Sequence, residues 1–209
     1  MEKESIEKLS IMIIGDEEVG KTTILERYLK GSFTSERKKT IGVEKYPLSY
    51  KDNDTNKSYL INFWDTAGQE RFHTITKNYY QRANGMVITM AINKRNSFSN
   101  LKMWINSITE NNSKKLPIVI LCNKFDLESE RQISNQEIEQ FCNSENKKMY
   151  FTSAKTGFNI EPAFNFIINE TVKTFEIDSN NKTNIINLEM KNNGINQNKI
   201  QSEEKSGCC

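Results

Sequence analysis

Nowhere in this 209-residue chain does an apolar run approach the roughly 20 residues needed to span a bilayer. The opening Met1-Glu2-Lys3-Glu4 lacks the apolar core of a secretory signal, so the chain is expected to be made and kept in the cytosol. An excess of one charge is also missing. A net charge of +2 gives no electrostatic footprint for nucleic acid or for an acidic substrate, and no nucleic-acid partner is expected. Cysteine is scarce, at four residues, and in a reducing compartment two disulfides are not expected. Cys122, inside an apolar run, and Cys142 read as small buried hydrophobes. Cys208 and Cys209 stand apart as the last two residues. Asn-x-Ser/Thr triplets at Asn56, Asn111 and Asn181 would meet no glycosylation machinery there. The chain does have the length and the 36% hydrophobic content for one ordinary domain with a full core, plus a tail.

Short apolar runs alternate with helix-like segments, the pattern of a mainly parallel α/β sheet. Leu9–Ile14 reads as the first strand, and Lys21–Lys30 as a helix stopped by Gly31. Val43–Tyr50 and Ser58–Trp64 flank the polar stretch Lys51–Lys57 and predict a hairpin. Met86–Ile92, Pro117–Cys122 and Met149–Thr152 are further strands. Helices are expected at about Phe98–Glu110, Ser134–Asn143 and Glu161–Phe175, the second opened by a capping box, Ser134 with Glu137. These make a domain over residues 1–176. From 177 to 209 Asn and Lys dominate, Phe, Trp and Tyr are absent, and acidic and basic residues balance, so a disordered tail is expected.

Two stretches fit together as one nucleotide site. Gly15-Asp16-Glu17-Glu18-Val19-Gly20-Lys21-Thr22 has the form Gly-x4-Gly-Lys-Thr between a strand and a helix. Its glycines let backbone N–H groups converge on phosphate, and the helix N-terminus adds partial positive charge. Lys21 would reach the β- and γ-phosphates, and the Thr22 hydroxyl would hold Mg2+, with Thr23 beside it. Alone, this loop suits ATPases, GTPases and small-molecule kinases alike. Trp64-Asp65-Thr66-Ala67-Gly68-Gln69-Glu70 follows a second apolar run. Asp65 supplies a carboxylate for magnesium, Gly68 lets the backbone approach the γ-phosphate, and Gln69 can orient water. Asn123-Lys124-Phe125-Asp126, after a third run, places a carboxylate able to accept two hydrogens from guanine; adenine offers no such pair. Thr152-Ser153-Ala154-Lys155 can close the other side of the base with a backbone N–H.

In this order and at these intervals the motifs resemble those of the Ras-superfamily small GTPases, and among them the Rab branch, over about Lys8–Phe175. Trp64–Glu70 continued by Arg71-Phe72-His73-Thr74-Ile75-Thr76 and Tyr79-Tyr80 is similar to the Rab second switch. The resemblance implies a P-loop small-GTPase fold, a three-layer α/β/α domain with a six-stranded, mostly parallel sheet. It implies that Thr40, in Thr40-Ile41-Gly42, ligates magnesium in the GTP state. It also implies that Phe33 lies against the guanine ring, although Phe33 also fits as a packing phenylalanine. Gly207-Cys208-Cys209 is similar to a Rab prenylation signal, so Cys208 and Cys209 would carry two geranylgeranyl groups, and a Ras-like growth-signalling switch is disfavoured. The implied activity is slow GTP hydrolysis to GDP in a switch for vesicle traffic on the cytosolic face of an intracellular membrane. The implied partners are an exchange factor, an activating protein, a GDP-dissociation inhibitor, a prenyl-transferase escort and trafficking effectors.

Several residues depart from that pattern. Glu17 and Glu18 replace small residues, Arg37 a tyrosine, and Lys45 an aromatic that joins Trp64 and Tyr79 in an effector-facing triad. Gln81-Arg82 stands for Arg-Gly, and His73, the lone histidine, reads as a solvated switch residue. Glu17 would border the γ-phosphate, Glu18 would adopt a backbone conformation that glycine tolerates better, and Arg37 could pair with Glu17 or with a phosphate. Glu17 and Glu18 motivate an alternative: a GTP-binding scaffold with negligible hydrolysis.

Overall fold

A computed structural model of the chain describes residues 6–34, 39–68 and 79–203, from 182 onward as backbone alone. Among the described residues run, in order, β1 (Glu7–Ile14), α1 (Lys21–Lys30), β2 (Val43–Lys51), β3 (Ser58–Thr66), β4 (Gly85–Ala91), α2 (Arg95–Ser99), α3 (Leu101–Asn111), β5 (Ile118–Asn123), α4 (Asn135–Ser144), β6 (Lys148–Phe151) and α5 (Ile160–Glu203). One sheet runs β2-β3-β1-β4-β5-β6. Only β2 and β3 pair antiparallel, from Val43 opposite Thr66 to Lys51 opposite Ser58. The other pairs are parallel. The hairpin turn closes where the Asp52 N–H donates to the Lys57 carbonyl and the Asp52 carboxylate accepts from the Thr55 N–H.

The apolar runs are continuous in the central strands because helices cover both faces. Every residue of β4 is buried. Side chains alternate across the pleat. Met12, Ile14, Met86, Ile88, Met90, Ile120 and Cys122 pack with Trp104, Ile105 and Ile108 of α3 and with Ile138 and Cys142 of α4. On the opposite face Phe63 meets Tyr28 of α1 and Phe164 of α5 edge-on, and those two rings stack at 4.4 Å. Each such buried side chain contributes roughly 1.5–3 kcal/mol. The expected three-layer α/β/α architecture with a six-stranded, mostly parallel sheet is what forms. Cys122 and Cys142 are free thiols in the core, and burial raises both pKa values.

Local signals place most helix ends. Gly31 caps α1 at φ 68°, its N–H donating to the Arg27 carbonyl. Ser134 and Glu137 form both bonds of the expected capping box on α4. Pro162 falls in the first turn of α5, where its missing N–H costs little. The helix expected over 98–110 is two pieces meeting at Asn100, whose side chain turns to Asp16 instead. The chain divides by its contacts into Met1–Val172 and Lys173–Cys209. The last helix, expected to close near Phe175 ahead of a tail without regular structure, runs on as helical backbone to Glu203. An Asn- and Lys-rich stretch forbids no helical dihedrals, and adding residues to a formed helix avoids the cost of a new nucleus. Cys208 and Cys209 lie outside the described residues.

Candidate nucleotide site

The loops that follow β1, β3, β4, β5 and β6 all leave the carboxyl edge of the sheet, where open α/β sheets bind ligands. After β1 the chain turns through Gly15–Gly20 and enters α1 at Lys21. The Lys21 side chain, only 5% exposed, folds back so that Nζ donates to the carbonyls of Gly15 and Asp16, each at 2.8 Å. Burial lowers its pKa to about 8, against the opposing pull of Asp65, Asp16 and Glu17. A cation stripped of water in this way is poised to meet a phosphate oxygen. Gly68, at φ 68°, must be glycine: a Cβ there would fall 2.2 Å from Lys21 Nζ and 2.7 Å from the Gly15 carbonyl oxygen.

The three residues expected to hold magnesium come together. The Thr22 hydroxyl donates to Asp65 Oδ2 and stands 2.8 Å from the Thr40 hydroxyl. Asp65 is fully buried at the end of β3. Two hydroxyls and a carboxylate are hard oxygen donors that fit Mg2+, which keeps several waters and takes few protein ligands. Among the described residues no group of three or more His, Cys, Asp or Glu side chains gathers to hold a metal. A cation at Thr22, Thr40 and Asp65 would therefore complete its shell with water and phosphate oxygens.

A small cavity of about 150 Å³ at this end is lined by Glu17, Glu18, Lys21, Thr22, Lys39 and Thr40. It adjoins a larger one of about 410 Å³ through Glu18, Gly20 and Thr23. Phe33, Asn123, Lys124, Asp126, Ala154 and Lys155 line the larger cavity, so the expected base-reading residues do converge there. Phe33 is 39% exposed, a wall of the pocket and not a core residue. Lys124 adopts a left-handed φ of 62°, and burial lowers its pKa.

Asn123 and Ser153 turn out to be braces. Asn123 Nδ2 donates to the Val19 carbonyl at 2.8 Å and its Oδ1 accepts from the Ala154 N–H at 3.3 Å, joining the phosphate loop to the base loop. A Cβ on Gly20 would collide with that amide at 2.4 Å. Ser153 Oγ donates to Asp126 Oδ1 and accepts from the Thr156 N–H, which fixes the carboxylate expected to read the base.

The departures at Glu17 and Glu18 are met by lysines that the motifs did not reveal. Lys39 Nζ lies 2.9 Å from Glu17 Oε1 and 3.6 Å from Glu18 Oε1. Lys94 Nζ donates to the Glu17 carbonyl at 2.6 Å and lies 3.7 Å from Glu18 Oε2. Glu18 does take the left-handed conformation, at φ 65°. Arg37, the expected partner of Glu17, lies outside the described residues, as do Gln69, His73 and the rest of 69–78. Asp16 was also missed. Its carboxylate accepts from Asn100 Nδ2 at 2.8 Å and Trp104 Nε1 at 2.9 Å, pinning the phosphate loop to α3. Lys45 sits 5.6 Å over the Trp64 ring, itself 5.3 Å from Tyr79, so the cation occupies the place expected for an aromatic.

The Ras family model matches residues 10–173. The chain is 38% identical to Ras-related protein Rab-11B of Dictyostelium discoideum over 190 residues, covering 91% of this chain and 83% of that protein. It is 31% identical to Ras-related protein Rab-11C of the same organism over 226 residues, covering 100% and 99%. To Ras-related protein Rab-12 of Mus musculus it is 34% identical over 173 residues, covering 82% and 70%.

Proposed function

From the premise that the chain belongs to the Ras family, in its Rab branch, we propose that it is a GTP/GDP switch that hydrolyses GTP slowly and regulates vesicle traffic. The observation that carries this reading is the meeting of Thr22, Thr40 and Asp65 beside the buried Lys21, next to a pocket edged by Asp126. Asp126, held by Ser153, would accept from the ring N–H and the exocyclic amine of guanine. Lys21 and the loop N–H groups would hold the phosphates in line, and Gln69 would orient the attacking water. Magnesium, held by Thr22, Thr40 and Asp65, would supply charge stabilisation on the phosphoryl oxygens. When the γ-phosphate leaves, Thr40 and Gly68 lose a partner, and both switches change what they present.

Binding of labelled GDP to the purified chain tests this, with GTP, ATP and XTP as competitors and single-turnover hydrolysis of GTP as the second readout. Equal competition by ATP would remove the guanine assignment. A second reading, a scaffold that holds GTP without turning it over, is favoured by one observation: Glu17 and Glu18 border the same small cavity as Lys21, Thr22 and Thr40. Hydrolysis at the pace of the uncatalysed reaction, with and without cell extract, would select it.

The same reading brings an exchange factor, an activating protein, a GDP-dissociation inhibitor, a prenyl-transferase escort and effectors as partners. Two geranylgeranyl groups on Cys208 and Cys209 would anchor the chain to the cytosolic face of an intracellular membrane, because one lipid gives only marginal residence. Among the described residues no helix is long and apolar enough to cross a membrane. Removing both cysteines is expected to shift the protein from the membrane pellet to the supernatant, and removing one to leave partial attachment. A double variant that still pellets would point to a protein-mediated anchor.

A further inference from the structure

We propose that Glu17 and Lys39 form a clasp that positions Thr40 over the magnesium site, so that closure of this segment does not depend on the terminal phosphate alone. The proposal rests on the guanine-nucleotide reading above. Its basis is a coincidence of contacts. Thr40 reaches the Thr22 hydroxyl at 2.8 Å, and the residue before it, Lys39, reaches the Glu17 carboxylate at 2.9 Å and Glu18 at 3.6 Å. Both contacts join the same two segments, the 39–40 stretch and the phosphate loop, at the rim of one small cavity.

The loop is held to receive the clasp. Lys94, from the turn after β4, donates to the Glu17 carbonyl at 2.6 Å and comes within 3.7 Å of Glu18 Oε2. Acidic and basic side chains therefore alternate around the loop: Glu17, Lys39, Glu18 and Lys94. Glu18 keeps a left-handed backbone at φ 65°, which an L-residue rarely adopts. Such outliers persist where surrounding contacts over-determine them. Lys39 and Glu17 are positioning residues: they act on magnesium only through Thr40. Lys39 is exposed and Glu17 half-buried, at 63% and 34% for the two side chains, so each change should have a modest, salt-sensitive effect.

The test uses the full chain and follows release of a fluorescent GDP, and separately of a non-hydrolysable GTP analogue, as free magnesium is varied. Lys39→Ala and Glu17→Gln are each expected to raise the magnesium needed for half-maximal retention by roughly two- to five-fold, in the GDP state as well as the GTP state. Lys39→Arg should restore the parent value, and Glu17→Lys combined with Lys39→Glu should recover most of it. Added salt should weaken the parent more than Lys39→Ala, narrowing the difference between them. Because Lys39 acts through Thr40, adding Lys39→Ala to Thr40→Ala should change nothing further. Full additivity of those two changes, or a Lys39→Ala variant indistinguishable from the parent, overturns the clasp. A parent that binds no guanine nucleotide overturns the functional reading and the clasp together.

Discussion

At the base end of the cleft, Asp126, Ser153, Asn123 and Ala154 hold one another through hydrogen bonds, with Asn123, Ser153 and Ala154 buried. At the phosphate end, Lys21 and Asp65 are buried, but Glu17, Glu18, Lys39 and Lys94 meet as ion pairs open to water. The Asn123–Ala154 bond is buried, and such bonds in a low dielectric cost much to break one at a time, so the base end is braced around the exposed Asp126. Exposed ion pairs are weak and yield to salt and to competing charge, so the phosphate end can respond when a phosphoryl group arrives or leaves. A switch needs both: one end that recognises a constant base, and one that changes with what is bound.

The largest expected effect breaks the phosphate end. Lys21→Ala removes the cation from a desolvated site and should cost about 2–5 kcal/mol of GDP and GTP affinity by titration calorimetry, with far-UV circular dichroism unchanged. Unaltered affinity would place the phosphates elsewhere.

Next in size, Asp126→Asn breaks the base end and leaves the phosphate end alone. It should lose about 1–3 kcal/mol for guanine nucleotides and gain for xanthine nucleotides, whose C2 oxygen pairs with an amide donor. No gain for xanthine in competition with labelled GDP would mean that Asp126 does not read the base.

Smaller still is the loss of the anchor under the phosphate loop. Asp16→Ala takes away the acceptor of both Asn100 and Trp104 and should lower stability by about 1–2 kcal/mol, seen as a reduced Tm. Faster GDP release should accompany it, because the Asp16 carbonyl also receives Lys21. An unchanged Tm together with unchanged release would show that the loop stands without α3.

The smallest effect concerns the exposed pairs themselves. Glu17→Ser with Glu18→Gly removes negative charge beside the terminal phosphate and relieves the left-handed residue at Glu18. At saturating magnesium, single-turnover hydrolysis should rise several-fold, because there the weaker hold on Thr40 is masked. No increase would show that Lys39 and Lys94 already offset the two carboxylates.

Much of this molecule was legible before any coordinates. The α1 boundaries, the β2–β3 hairpin and the Ser134–Glu137 capping box follow from glycine stops, polar turns and caps, which act over a few residues. The helix break at Asn100 was not legible, because Asn100 turns its side chain to Asp16, 84 residues earlier in the chain. The helical backbone beyond Phe175 was also missed, since that stretch carries no apolar period to announce it. In the candidate site, the motifs single out Thr22, Asp65 and Asp126, whereas the bracing role of Asn123 is hidden behind its place in one.

Local sequence was enough for the kind of protein this is. A glycine-rich turn between a strand and a helix, a carboxylate ending a strand and Asn-Lys-x-Asp each set their chemistry within a few residues, and their order along the chain identifies the cleft. What folding alone settled is how the cleft is held: Lys94 on Glu17 across 77 positions, Trp104 on Asp16 across 88, Asn123 on Val19 across 104. Those bonds depend on which loops the parallel sheet brings to one edge. A parallel sheet joins distant segments through crossovers that leave no period in the sequence, so their partners appear only when the sheet is assembled.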